Sequence, residues 1–377
     1  MFNQYKFNYS KDKSKIFFNY NTFIPNTGQV IQKKLDLYYV ENKDDLYIIK
    51  NIDRLKLLKE FNEQYKCRLT LNDPIVSLSS KNINNQGFNI FCELCLNASI
   101  LSFENNKISD LTPLNNNKFN NLQKLYLGQN NIKSISPLIG LKFEKLEELK
   151  LNNNKIEDIN PLEGIKLNQL EKLWLNDNII SDISVLGKVD FQNLTFLKLN
   201  RNSIKNISFL KKNDFQKLKE LDLSDNNIDD ISSLENIELD SLESLYLGFN
   251  DIEKISIEKK IYFPQIKKIE INNNNIKEII IKGKVLLPRL IKIYLNDNLI
   301  QKITINKLLK LNKLQELNLS QNKIEDISFL ENIELKILKK LILNNNNIED
   351  INILGDVNMN KLNYLELSKN NISDIQY

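Results

Sequence analysis

Residues 122–130 read LQKLYLGQN, residues 170–178 read LEKLWLNDN and residues 314–322 read LQELNLSQN. Each phrase ends in an asparagine. The asparagines recur every 24 residues without a slip, at Asn106, Asn130, Asn154, Asn178, Asn202, Asn226, Asn250, Asn274, Asn298, Asn322, Asn346 and Asn370. A fixed period of about 20–50 residues marks a stack of small like units rather than a globular enzyme core.

With the asparagine as position zero, apolar residues fall at −11, −8, −5, −3, +2, +5 and usually +8. Around Asn154 these are Phe143, Leu146, Leu149, Leu151, Ile156, Ile159 and Leu162. The −5 and −3 residues alternate with polar ones, which is strand periodicity, so each repeat opens with one short strand and returns along the outer side. One such unit cannot bury enough apolar surface to offset the ordering of its own backbone. Stacked units share both faces of the apolar layer and fold together. The asparagine's amide offers a donor and an acceptor where the chain turns out of the strand. Its recurrence in every repeat favours a structural ladder over a catalytic role.

The pattern LxxLxLxxNxIxxIxxL resembles the leucine-rich repeat. The tails NKISDLTPL (106–114), NNIKSISPL (130–138) and NKIEDINPL (154–162) look like the subclass found in the leucine-rich regulatory subunit of type-1 protein phosphatase and in bacterial internalins. The resemblance covers about residues 91–377. It implies an α/β repeat solenoid: a leucine-rich-repeat horseshoe with a parallel concave β-sheet, about 12 repeats of 24 residues, and a small N-terminal α+β cap. Two features depart from that subclass. The period is 24 rather than the usual 22, and no secretion signal opens the chain.

The array is not uniform. At +8, leucine gives way to Glu258, Lys282 and Asn306, and the tails KISIEKKI, EIIIKGKV and KITINKLL alternate with period two. These three repeats are expected to run extended on the convex side, where their neighbours use a short helical turn. Residues 1–70 lack the repeat and are read as a cap or small α+β domain. There Leu35, Leu37 and Tyr39 are expected to face Leu46 and Ile48 in a hairpin. Ile52, Leu55, Leu58, Phe61 and Tyr65 are expected to stripe a helix with Asn51 as a candidate N-cap. Residues 71–97 read as a degenerate first repeat and 98–377 as the solenoid. Seven residues follow Asn370 with no polar capping unit, so the last coil is self-sealing, is covered by a partner, or belongs to a longer natural chain.

Composition narrows the function. The 377 residues hold 52 Lys and Arg against 48 Asp and Glu, a net charge of +4, without the basic excess of a nucleic-acid binder. No apolar run is long enough for a membrane span, and the N-terminus lacks the apolar stretch of a signal peptide, so a cytoplasmic location is expected. There is no histidine, which removes the commonest general base and metal ligand. Glycine numbers only nine, and no phosphate-cradling glycine motif occurs, so neither a cofactor nor a small-molecule substrate is expected. Cys92 and Cys95 form a C-x-x-C, but only Cys67 remains as a further thiol, which favours core packing over metal or redox chemistry. The pairs Glu157–Asp158, Asp229–Asp230 and Glu349–Asp350 recur at +3/+4 and read as a solvated acidic edge.

Position −4 lies between the two strand leucines and must face away from the core, onto the concave surface. It carries Tyr126, Lys150, Trp174, Lys198, Asp222, Tyr246 and Tyr294. Phe196 at −6 and Phe249 at −1 stand nearby. Aromatics suit strands in general, but outward-facing Tyr and Trp are also the residue types that dominate protein interfaces. Position −6 adds charges of both signs, which suits a protein partner better than a polyanion. The expected function is therefore a non-catalytic protein-interaction scaffold gripping a protein on its concave face. Three alternatives stand beside it: regulation of a cytosolic phosphatase, a surface adhesin of internalin type, and an enzyme whose chemistry lies in residues 1–90.

Overall fold

The computed structural model describes residues 6–9, 15–23, 30–38, 45–94, 98–116, 119–141, 143–211 and 215–373. It divides into two compact units, residues 1–56 and 57–377. The first holds a three-stranded antiparallel sheet of Lys6–Tyr9, Lys15–Phe23 and Val30–Tyr38, followed by the start of a helix spanning Asp45–Tyr65. This corrects the hairpin read from the sequence. Val30–Tyr38 pairs with Lys15–Phe23, nine residues against nine, and not with the segment around Leu46 and Ile48. That segment is helical, because Leu46 and Ile49 extend the three-residue spacing of Ile52, Leu55, Leu58 and Phe61 backwards. Asn51 accordingly sits inside the helix and does not cap it. Tyr39 lies outside the described residues, as does Cys95.

The second unit is the repeat array, an α/β solenoid built on one thirteen-stranded sheet. Strands three residues long follow one another in parallel from Ile75–Ser77 through Ile100–Ser102, Lys124–Tyr126 and Glu148–Lys150 to Tyr364–Glu366. The register never shifts: Leu125 stands beside Leu149, Leu173 beside Leu197, and Leu221 beside Leu245. Each central leucine points inward, where the −5 and −3 columns meet the isoleucines at +2 and +5. All seven apolar positions of the Asn154 repeat are buried, as are all seven of the Asn322 repeat. At −11 the column Phe143, Phe191, Phe215 and Phe263 fills the wider space behind the sheet.

On the returning side the repeats differ. Most use a short 3-10 turn, as at Ser136–Leu138, Asn160–Gly164, Ser184–Gly187, Ser232–Leu234 and Ser328–Asn332. The residue at +4 caps this turn. Asp158 accepts from the Asn160 backbone N–H at 2.8 Å, Asp182 from Ser184 at 2.8 Å and Asp230 from Ser232 at 2.7 Å. The acidic edge read at +3/+4 is thus in part a column of caps. The Asp182 carboxyl is held below its usual value by these bonds from Ser184. In the three repeats that lack leucine at +8, position +4 holds Lys254, Glu278 and Lys302, which offer no such cap, and the chain stays extended. Lys254–Ile257, Glu278–Ile281 and Lys302–Ile305 form a second parallel sheet, as the alternating tails imply.

At the N-terminal side of the array, residues Leu57–Tyr65 and a helix Asn85–Glu93 cover the first strands. Phe61, Phe88, Phe91 and Phe103 are almost wholly buried, and Phe88 and Phe91 meet Phe103 edge-on at 5.0 and 4.7 Å. Asn84 caps the second helix by accepting from the Gly87 N–H at 3.0 Å. Cys92 is buried in this layer, and burial pushes the half-buried Cys67 thiol above its ordinary value. No group of three or more Cys, Asp or Glu placed to hold a metal occurs among the described residues. No helix among them is long and apolar enough to cross a membrane.

Candidate interaction face

The twelve asparagines define what can face outward, because they fix each turn out of the sheet. Asn226 donates to the carbonyls of Leu199 and Leu223, both at 3.1 Å, and accepts from the Ile204 N–H at 3.0 Å. Asn202 repeats the set with Leu175, Leu199 and Ile180, each at 3.0 Å. Each amide thus ties its own turn to the preceding one, which satisfies backbone groups that have no strand partner. The residue before each asparagine is forced into the left-handed region, from Asn105 at φ 55° to Lys369 at φ 56°. Asn, Asp and Gln fill most of this column. Phe249 is the exception in kind, with φ 56° and 56% exposure.

On the open face of the sheet, aromatics and lysines interleave. Lys150 Nζ lies 4.3 Å from the Tyr126 ring centroid and 5.2 Å from that of Trp174. Trp174 packs against Phe196 at 5.1 Å, tilted by 49°. Lys198 Nζ stands 5.2 Å from Phe196 and 5.7 Å from Tyr246, and Lys268 bridges Tyr246 and Tyr294 at 5.0 and 5.7 Å. The structure therefore places Tyr126, Lys150, Trp174, Phe196, Lys198, Tyr246 and Tyr294 in one continuous band. A cation over an aromatic face contributes about 0.5–2 kcal/mol, depending on desolvation, so the rings are held in place before any partner arrives.

Asp222 and Phe249 differ from the rest. Asp222 is buried. It accepts from Ser224 and pairs with Lys198 at 3.1 Å, so it positions the band rather than presenting a free charge. Phe249 stands at the edge, on the turn after the Tyr246 strand.

The sequence pattern does not single out the carboxylates that hold the lysines. Glu148 accepts from the Tyr126 hydroxyl at 2.6 Å and pairs with Lys124 at 2.9 Å and Lys172 at 3.2 Å. Burial alone would raise its carboxyl, but these three donors outweigh it and hold the pKa at about 2. Burial and the same carboxylate push the Tyr126 hydroxyl well above its ordinary value. Lys198 is raised despite its burial, which acts the other way, because Glu220 at 2.9 Å and Asp222 both pair with it. The one advance signal is the alternation of sign at −6, where Lys124, Glu148 and Lys172 sit side by side. Next to Trp174 and Lys198, the amide oxygens of Asn176 and Asn200 are shielded and without a hydrogen-bond partner among the described residues. Buried acceptors of this kind normally find one.

A family model described as Leucine Rich repeats (2 copies) matches residues 144–188 and 192–236, and one described as Leucine Rich repeat matches 310–327 and 358–375. Among solved structures, an internalin (inlF) from Listeria monocytogenes is 24% identical over 87% of this chain and 90% of that one, with a TM-score of 0.53. A chain of the LRIM1/APL1C complex is 19% identical over 72% of this chain, with a TM-score of 0.50. The matched region spans 48% of that longer relative. No curated protein matches the chain in sequence.

Proposed function

We propose, from the premise that this chain is a leucine-rich-repeat protein, that it is a non-catalytic scaffold that binds a protein on the open, concave face of its sheet. The observation that carries the reading is the interleaved band from Tyr126 to Tyr294. Outward aromatics gain nothing from the array's core. Here they are fixed by lysines that are themselves fixed by buried or half-buried carboxylates. A surface ordered in advance loses little side-chain freedom on binding, which leaves more of the contact energy for affinity. Mixed charge beside the rings suits a folded protein with complementary charges. The absence of histidine and the use of the +4 carboxylates as caps both support a binding rather than a catalytic role.

The test uses Trp174→Ala. No core leucine is altered, so the variant should melt close to wild type. Binding should weaken by about 2 kcal/mol or more, as truncation of a central aromatic anchor does. Affinity purification with both proteins side by side reads the second effect, and a melting curve the first. If both retain the same partners with equal strength, the band is not the interface. If Trp174→Ala melts far lower, the tryptophan belongs to the core.

A further inference from the structure

The three extended repeats leave an opening on the returning side of the array, away from the aromatic band. Its origin is local. Gly283 lies so close to the backbone of Lys259 that any Cβ there would collide with it. The approach lets both the Lys282 and Gly283 N–H groups reach the Ile257 carbonyl, at 2.9 and 2.8 Å. The following segments then pair, Ile261–Tyr262 with Val285–Leu286, and Ile261 N–H meets the Lys284 carbonyl at 2.9 Å. One repeat later, Lys307 stands where Gly283 stood. Only Asn306 N–H reaches the Ile281 carbonyl, at 3.0 Å. Val285–Leu286 and Leu309–Lys310 do not pair; the latter pairs instead with Ile333–Glu334.

A cleft of about 670 Å³ lies where that ladder step is missing, lined by Tyr262, Val285, Leu286, Leu308, Leu309 and Pro288 among others. Leu308 is 53% exposed at its lip. Lys284, Lys307 and Lys310 line it too, and none of them pairs with a carboxylate among the described residues. Between Glu258 and Lys313 the sequence holds thirteen lysines and arginines against four carboxylates, in a chain whose overall charge is only +4.

We propose that this cleft is a second docking site, and that its occupant is an extended acidic segment of a partner protein with alternating apolar side chains. An extended backbone can meet strand edges left without their ladder partner. Its apolar side chains suit a floor of Val285, Leu286 and Leu309. Its carboxylates suit the three unpaired lysines at the rim. The site is separate from the aromatic band, so the chain can hold two proteins, or two parts of one, on opposite sides.

A random-peptide display library selected on the full chain, with counter-selection on a Lys307→Glu/Lys310→Glu double variant, tests this directly. The enriched peptides should alternate Asp or Glu with Leu, Ile or Val. The tightest of them, made synthetically, should bind the double variant and Leu308→Asp at least tenfold more weakly than wild type. Backbone N-methylation of that peptide should weaken it as much, and Trp174→Ala should leave its binding unchanged. Melting curves of the double variant and of Leu308→Asp should overlay that of wild type, since Lys307, Leu308 and Lys310 are exposed. The proposal is overturned by no enrichment, by enriched peptides that are not acidic, or by equal binding to the double variant. It is also overturned if vesicles of anionic phospholipid co-sediment with wild type and displace the peptide, or if sedimentation shows that the cleft is closed by a second copy of the chain.

Discussion

Asn226 shows what one side chain does in this molecule: it closes four hydrogen bonds, donating to the carbonyls of Leu199, Leu223 and Ser224 and accepting from the Ile204 N–H. Asn226→Ala, and equally Asn202→Ala, is expected to lower stability by about 1–3 kcal/mol, because backbone groups are left buried and unpaired. Denaturant midpoints check this, and unchanged values for both would mean that water satisfies these groups. Phe249 carries the opposite expectation. A bulky residue at φ 56° with its ring 56% exposed is held in a conformation that asparagine adopts more readily. Phe249→Asn should therefore raise the midpoint, by about 0.5–1 kcal/mol, while partner binding falls if the ring is an anchor. Glu148 supplies a pH dependence. Its folded pKa of about 2 lies below the ordinary carboxylate value, so it stabilises the fold fully above that ordinary value. The contribution is lost as pH falls from about 4.5 towards 2. The stability gap between wild type and Glu148→Gln, read from urea midpoints, should be widest near neutral pH and close across that window. The ladder residues and the −4 column are legible from the sequence because they repeat. Glu148 is not, because nothing in one repeat shows that Tyr126 and Lys124 from the repeat before it and Lys172 from the repeat after it converge on it.

At the scale of single elements, the choice between a 3-10 turn and an extended return rests on two positions. Leucine at +8 anchors the turn in the core, and a short acceptor at +4 caps it, as Asp158, Asp182 and Asp230 do. Where Glu258, Lys282 and Asn306 remove the anchor, Lys254, Glu278 and Lys302 also remove the cap, and three strands form a sheet instead. The loss of leucine makes that switch readable in advance. The capping role of the acidic column is not, since a carboxylate at +4 looks the same whether it turns to water or to the backbone two residues on. The N-terminal elements are harder for a different reason. In Lys15–Phe23 the run Ile16, Phe17, Phe18 puts apolar residues on both faces, so no clean alternation marks a strand. Leu46 and Ile48 alternate locally while belonging to a longer helical spacing. Gly283 gives a test at this scale. Gly283→Ala should lower stability by about 1–3 kcal/mol, because the added Cβ meets the Lys259 backbone, which cannot step aside as a flexible side chain would. The equivalent change at Gly355, where a Cβ meets nothing within 4 Å, should be nearly silent by the same measurement.

Across the array, every strand between Ile75–Ser77 and Tyr364–Glu366 has a like neighbour on each side in the same register, so stability is a sum over like interfaces rather than a property of one central core. The sheet ends at Tyr364–Glu366, where Leu365 is 42% exposed although the equivalent leucines within the stack are almost wholly buried. The difference measures what one further neighbour contributes to each layer. It follows that the unit of tolerated change is the period, not the residue. Deleting residues 179–202 removes one full repeat and joins Asn178 to Ser203, so that every following apolar position keeps its register. Asn226 would then find the Leu175 carbonyl where it now finds that of Leu199. This variant should fold, unfold in a cooperative transition, and show an m-value smaller by roughly a tenth, in line with the surface it no longer buries. Deleting only residues 179–190 removes half a period. It puts the next strand's outward positions where the preceding repeat requires leucine, and the stack should come apart at that point, with far-UV circular dichroism and the midpoint both reduced. If the two deletions behave alike, the array is not held together by the register of its repeats, and the additive picture fails.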